Sequence, residues 1–203
     1  DDEFSAIILA ARYGHVEIVN LLIEHDADVN DQGGTVMHCL EGDRDRTPLH
    51  FAAKHGHVDV AKVLILSGAI VNLRTSQRRN TPLHEAAAQG HFDVVKLLIE
   101  NGSDADVDSW NCFGATPLSL AALKGCADIA RILIRNGADV RARWNQKCVI
   151  LACMSGHSEY VKVLLQNGAD VDAVDKYNDT ALKKASGNEF NSCVLQLLCF
   201  GAE

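Results

Sequence analysis

Nine histidines and seven cysteines, with 27 acidic residues, are the groups in this 203-residue chain that could hold a metal or move protons. A metal centre needs its ligands in closely spaced pairs. His38-Cys39 supplies one pair, but no second pair at ligand spacing accompanies it, so no metal is expected. Catalysis needs a nucleophile, a base and an orienting group in one constellation. The chain has no GxSxG, no HExxH and no Gly-rich phosphate loop followed by Lys-Ser or Lys-Thr. Its Asp and Glu residues are spread over helix starts and turns, where the helix dipole and turn chemistry account for them. The chain therefore reads as a non-enzyme with no cofactor. The cysteines are odd in number and form no CxxC, which points to reduced core thiols in the cytoplasm or nucleus.

The chemistry on offer is recognition. Tryptophan, tyrosine and arginine are the side chains that anchor interfaces. Trp110, Trp144 and Tyr177 lie in turn-rich segments, as do Arg44, Arg46, Arg74, Arg78, Arg79, Arg141 and Arg143; Phe113 lies beside them. Basic loops on a chain of net charge −8 suit a protein or peptide partner with carboxylates or phosphates, held by bidentate arginine contacts. Tryptophans on a basic rim could also stack single-stranded nucleic acid, but the net charge argues against that partner and against an acidic membrane surface. No run has the length of a membrane span, and the first residues show no signal-peptide pattern.

The elements that carry these residues follow one pattern, clearest over Thr81–Gly102, TPLHEAAAQGHFDVVKLLIENG. Thr81 suits a helix N-cap and Pro82 a first turn. Leu83, Ala86 and Ala87 form a short apolar face, and Gly90 supplies a left-handed stop. Val94, Val95, Leu97 and Leu98 then make the buried stripe of a second helix, closed by Gly102. Two helices this short cannot bury that stripe alone, so further copies must stack on them.

Copies are present. Related hexads begin at Ser5, Thr47, Thr81, Thr116, Lys147 and Thr180, with Gly-His at 14–15, 56–57, 90–91 and 156–157. Endings of the Gly-Ala-Asp-Val type recur at 68–71, 137–140 and 168–171. Self-similarity at this period marks a repeat architecture. On the TPLHxA strings at 47–52 and 81–86, with a partial third at 116–121, the chain resembles the ankyrin-repeat family over essentially its whole length.

That resemblance implies an all-α repeat solenoid of stacked helix-turn-helix units with β-hairpin finger loops. The units run at about 1–34, 43–76, 77–111, 112–144, 145–175 and 176–203, within one domain 1–203. A long finger insertion at 31–46 is expected to be mobile or ordered by a partner. The fifth unit, whose hexad lacks Thr, Pro and His, is expected to be the least regular. His50 and His84 are assigned a structural role.

The resemblance also implies a concave binding face. It is lined by the residue pairs that precede each Gly-His step: Arg12 and Tyr13, Lys54 and His55, Ala88 and Gln89, Leu123 and Lys124, Met154 and Ser155. Glu85 joins them from the fifth hexad position, while Phe51 and Leu120 are expected to pack between helices. Trp110 and Trp144, flanked by Arg78, Arg79 and Arg143, are the expected anchors, with Arg74, Phe113 and Tyr177 beside them. Asn30, preceded by Leu22, Asp28 and Val29, fits the family's context for asparagine hydroxylation. The apolar first helix and the final residues 197–203 suggest a segment of a longer chain. The role implied is a scaffold or substrate-recruiting adaptor, for example in a ubiquitin ligase, or a regulatory segment of an ion channel or larger enzyme.

Overall fold

A computed structural model describes residues 4–33, 45–102, 106–142 and 145–202. The described residues hold twelve α-helices in two compact units. Unit one comprises residues 1–106 and 111–113. Its helices are α1 (Ala6–Tyr13), α2 (Val16–Glu24), α3 (Pro48–His55), α4 (Val58–Leu66), α5 (Pro82–Gln89) and α6 (Phe92–Asn101). Unit two comprises residues 107–110 and 114–203, with α7 (Pro117–Lys124), α8 (Ala127–Arg135), α9 (Cys148–Met154), α10 (Ser158–Gln166), α11 (Ala181–Gly187) and α12 (Asn191–Cys199).

Each unit has two layers. In unit one α1, α3 and α5 pack side by side as the first layer, and α2, α4 and α6 as the second. Unit two repeats this with α7, α9 and α11 against α8, α10 and α12. Small side chains make the close approach possible: Ala10, Ala11, Ala52, Ala53, Ala86 and Ala87 are buried along unit one's first layer. Val19, Val60, Leu64, Val94, Val95 and Leu98 fill the space beneath them from the second layer. In unit two Leu118, Ala121, Ala122 and Ala152 meet Ile129, Leu133, Val161, Leu164 and Leu197. Phe51 is buried, and Leu120 is half-buried.

Local chemistry sets the helix ends. The Thr81 hydroxyl accepts the His84 N–H, and the Thr81 N–H donates to His84 Nδ1 at 3.2 Å, a reciprocal cap that Thr47 and His50 also form. Thr116 and Ser119 do the same for α7. Satisfying two orphan N–H groups at once stabilises such short helices. By contrast α9 starts from Lys147 in a helical conformation without a side-chain cap, in keeping with its irregular hexad. The fingers are mostly turns; among the described residues one isolated antiparallel bridge, Val174 with Thr180, occurs in unit two.

Candidate recognition surface

The Gly-His steps fix the register between neighbouring repeats. His57 Nε2 meets the Arg12 carbonyl at 3.1 Å, and His91 Nε2 meets the Lys54 carbonyl at 3.1 Å. In unit two His157 Nε2 meets the Leu123 carbonyl at 3.2 Å. Each imidazole lies over the glycine of the preceding repeat. A Cβ on Gly14 would sit 2.7 Å from His57, and one on Gly56 would sit 2.6 Å from His91. So the glycine serves twice, by its left-handed φ and by leaving room for the ring. Phe190 takes the histidine's place over Gly156. These contacts pin the carbonyls of Arg12, Lys54 and Leu123, so the backbone under the expected binding positions is held from below.

The finger bases use a second set of bridges. Asn30 donates to the Gly68 carbonyl at 3.2 Å and accepts the Ile70 N–H at 2.8 Å, tying one repeat's hairpin to the next. In unit two the corresponding Asp108 accepts the Asp139 N–H at 2.7 Å, and the corresponding Arg141 donates to the Gly168 carbonyl at 2.8 Å. Aspartate keeps the accepting half of the asparagine bridge and arginine the donating half.

Buried polar groups lock the fingers of unit one to its first layer. Arg46 and Glu85 form an ion pair at 3.0 Å with side chains only 5% and 6% exposed. Asn80 donates to the same Glu85 oxygen at 2.9 Å, and Asn111 donates to Asn80 Oδ1 at 2.9 Å. His50 Nε2 reaches the Asn80 carbonyl at 3.1 Å. His50 is fully buried, and burial pushes its pKa down to about 4, so the ring is neutral with the proton on Nε2. In unit two Asn145 donates to Asp108 at 3.0 Å and to the Asp139 carbonyl at 2.8 Å, and accepts the Thr116 hydroxyl. Tyr160, fully buried on α10, donates its hydroxyl to the Leu118 carbonyl, and burial pushes that phenol well above its ordinary pKa.

The expected site residues fall into three groups. On unit one Tyr13 is 61% exposed, His55 and Gln89 are exposed, and Phe113 is 75% exposed. His55 stacks on His57 with ring centroids 6.1 Å apart. Arg74 pairs with Asp106 at 3.5 Å, the Arg78 carbonyl accepts the Cys112 N–H, and Arg79 is exposed in a left-handed turn with φ 57°. On unit two Trp110 is 38% exposed, Leu123 and Met154 are about half exposed, and Lys124 is exposed. Tyr177 projects from the last finger, with Lys176 Nζ 4.8 Å and Lys184 Nζ 5.6 Å from its ring. Hydrogen bonds to Asp179 and Asp175 hold Lys184 there and push its amine pKa up.

Two residues depart from the expectation of surface placement. Glu85 is 4% exposed because Arg46 and Asn80 draw its carboxylate inward, so it braces unit one from inside. Arg46, expected on a solvated basic rim, is its buried partner. Trp144, Arg143, Arg44, His38, Cys39 and residues 34–44 of the long finger lie outside the described residues. Among the described residues no three His, Cys, Asp or Glu side chains gather as a metal site, and no helix is long and apolar enough to cross a membrane.

The sequence reading missed the Arg46–Glu85–Asn80–Asn111 network and the Tyr160 tether. One signal was available for the finger corners. A short polar residue, Thr75, Asn111 or Asp175, stands just ahead of the hexads at Thr81, Thr116 and Thr180, and each turns its hairpin by local hydrogen bonds.

Comparison with known proteins agrees with this architecture. The family described as ankyrin repeats (3 copies) matches residues 1–75 and 49–144, and that described as ankyrin repeats (many copies) matches 149–199. Among curated relatives, the NF-kappa-B inhibitor cactus of Drosophila melanogaster is 37% identical over 68 residues, 34% of this chain and 12% of that protein. Alpha-latrotoxin-Lh1a of Latrodectus hasselti is 38% identical over 63 residues, 31% of this chain and 4% of that protein. The matched stretch thus spans a small part of these relatives' length. Among solved structures, the human ASB11 ankyrin repeat domain superposes with a TM-score of 0.81 at 28% identity, covering 98% of this chain and 85% of that one. An ankyrin repeat domain from Acinetobacter baumannii AYE gives 0.79 at 25% identity, covering 97% and 98%. Repeat period, capped helix pairs, glycine–histidine register contacts and family matches over nearly the whole chain converge: the chain belongs to the ankyrin-repeat family.

Proposed function

We propose that this chain is a non-catalytic recognition module that binds a peptide segment or folded domain through the first-layer helix ends and fingers of its units. Ankyrin repeats generally mediate protein–protein interaction. One observation carries the reading further. The first-layer helices α1, α3, α5, α7 and α9 are mostly buried, yet the two positions before the turn that ends each of them stay open. They present Tyr13 and His55 on unit one and Leu123 and Met154 on unit two. Large aromatic and apolar side chains exposed at one or other of these two positions, on a backbone pinned from below, suit contact with another protein, because a rigid site loses little entropy on binding. Trp110 is the anchor on unit two, and Arg78 and Arg79 serve acidic or phosphorylated groups on unit one.

The role that fits is a scaffold or substrate-recruiting adaptor, for example in a ubiquitin ligase, acting in the cytoplasm or nucleus. The alternative is a regulatory segment of an ion channel or larger enzyme. The test is affinity capture of partners by wild-type protein and by W110A, with the strongest partner then measured in solution. Loss of an interface anchor should cost about 2 kcal/mol, with an unchanged unfolding midpoint. Unaltered binding by W110A would reject Trp110 as an anchor.

A further inference from the structure

Resting on that recognition reading, we infer that Arg12 is a binding site for a single carboxylate, an Asp or Glu side chain of a partner peptide, on unit one.

Arg12 lies in the last turn of α1, half-buried, with its own carbonyl held by His57. Its guanidinium carbon sits 5.8 Å from the centroid of the Tyr13 ring and 6.0 Å from that of Phe51. Among the described residues no carboxylate pairs with it. Both rings lie within the roughly 6 Å at which an aromatic face attracts a cation, and a guanidinium carries a planar fork of N–H donors that takes a carboxylate through two parallel hydrogen bonds.

The Phe51 ring shows what the second charge needs. Arg46 also lies against it, 5.7 Å from the centroid, while Phe4 packs edge-on at 5.4 Å. Arg46 is neutralised by Glu85 at 3.0 Å, whereas the half-buried Arg12 keeps its charge open to an outside anion. With Arg46 already neutralised, one unbalanced positive charge remains, which matches a monoanionic carboxylate better than a phosphate dianion. The exposed Tyr13 ring beside it offers apolar contact, so the peptide should carry an Asp or Glu next to an apolar residue.

To test this, the wild-type chain and its R12Q and R12K forms each select binders from a randomised peptide display library, and one selected peptide is measured by fluorescence anisotropy. Wild type should enrich an acidic position beside an apolar one. R12Q should lose that enrichment and weaken the peptide roughly tenfold to a hundredfold, the range for a hydrogen bond to a charged group; R12K should recover part. Changing the peptide's Glu to Gln should cost the same on wild type and nothing further on R12Q. That cycle also decides the matter if R12Q shifts the unfolding midpoint, because its first leg uses wild type alone. Absence of an acidic preference, additive losses, or tighter binding of a phosphorylated residue than of Glu at that position would overturn the assignment. Peptides weakened by W110A but indifferent to R12Q would overturn it while leaving the recognition reading in place. Failure to select any peptide would count against both.

Discussion

Replacing Gly56 by Ala tests the register contact between repeats, and unit one contains its own control. Gly56 has φ 77°, and a Cβ there would lie 2.6 Å from His91 Nδ1. Gly68 has φ 92° with nothing within 4 Å of its Cβ position. Both substitutions force an alanine into the left-handed region, which costs about 1–2 kcal/mol, partly offset by reduced freedom of the unfolded chain. G68A should therefore lose about 1 kcal/mol. G56A must also displace the imidazole and break its 3.1 Å contact with the Lys54 carbonyl. Loss of that hydrogen bond and of the ring's packing adds about 1–2 kcal/mol, for a total of about 2–3. Urea denaturation followed by circular dichroism measures both variants. H91A serves as the second arm: in its background G56A should cost no more than G68A. Equal losses for G56A and G68A in the wild-type background would refute the role given to His91.

The buried network makes two more predictions. E85A removes the anion from a buried guanidinium and a partner from Asn80, and should destabilise the protein by about 3–5 kcal/mol in chemical denaturation, far more than a surface carboxylate would. His50 makes stability depend on pH. Its pKa falls from 6.5 to about 4 on folding because burial disfavours the charged ring. The unfolded chain therefore binds the proton more readily. The stability from keeping His50 neutral is complete above about pH 6.5 and is lost as pH falls toward 4, by up to roughly 3 kcal/mol. H50Q should flatten the unfolding midpoint over that window relative to wild type.

Helices, their ends and their order were legible because each rests on contacts a few residues apart. Thr81 with His84, Gly90 as a stop, and the Val94–Leu98 stripe are local chemistry, repeated often enough to show the period. The structural role assigned to His50 and His84 follows from the same hexads, and His50 is buried between its cap and Asn80. Residues whose partners lie a whole repeat away were not legible. Glu85 reads as an exposed acidic residue until Arg46, 39 positions earlier, is seen to fold under it. The same holds for Asn111 with Asn80 and for Tyr160 with Leu118, 31 and 42 positions apart. Packing between successive repeats sets those meetings, and the helix period within one repeat does not report which side chains will pair across to the next. Exposure was easier to read at Tyr13, Met154 and Tyr177, for which the repeat core has no place, and all three are exposed.

The proposed recognition surface comprises the fingers and first-layer helix ends and leaves out the second-layer helices. The most direct measurement is the affinity of one captured partner for W110A and M154A beside L66A, each with its unfolding midpoint. Leu66, at the end of α4 in the second layer, is 76% exposed and so a more exposed apolar side chain than either. W110A and M154A should weaken binding while L66A leaves it unchanged. Binding lost with L66A and retained by the other two would place recognition on the second-layer helices instead.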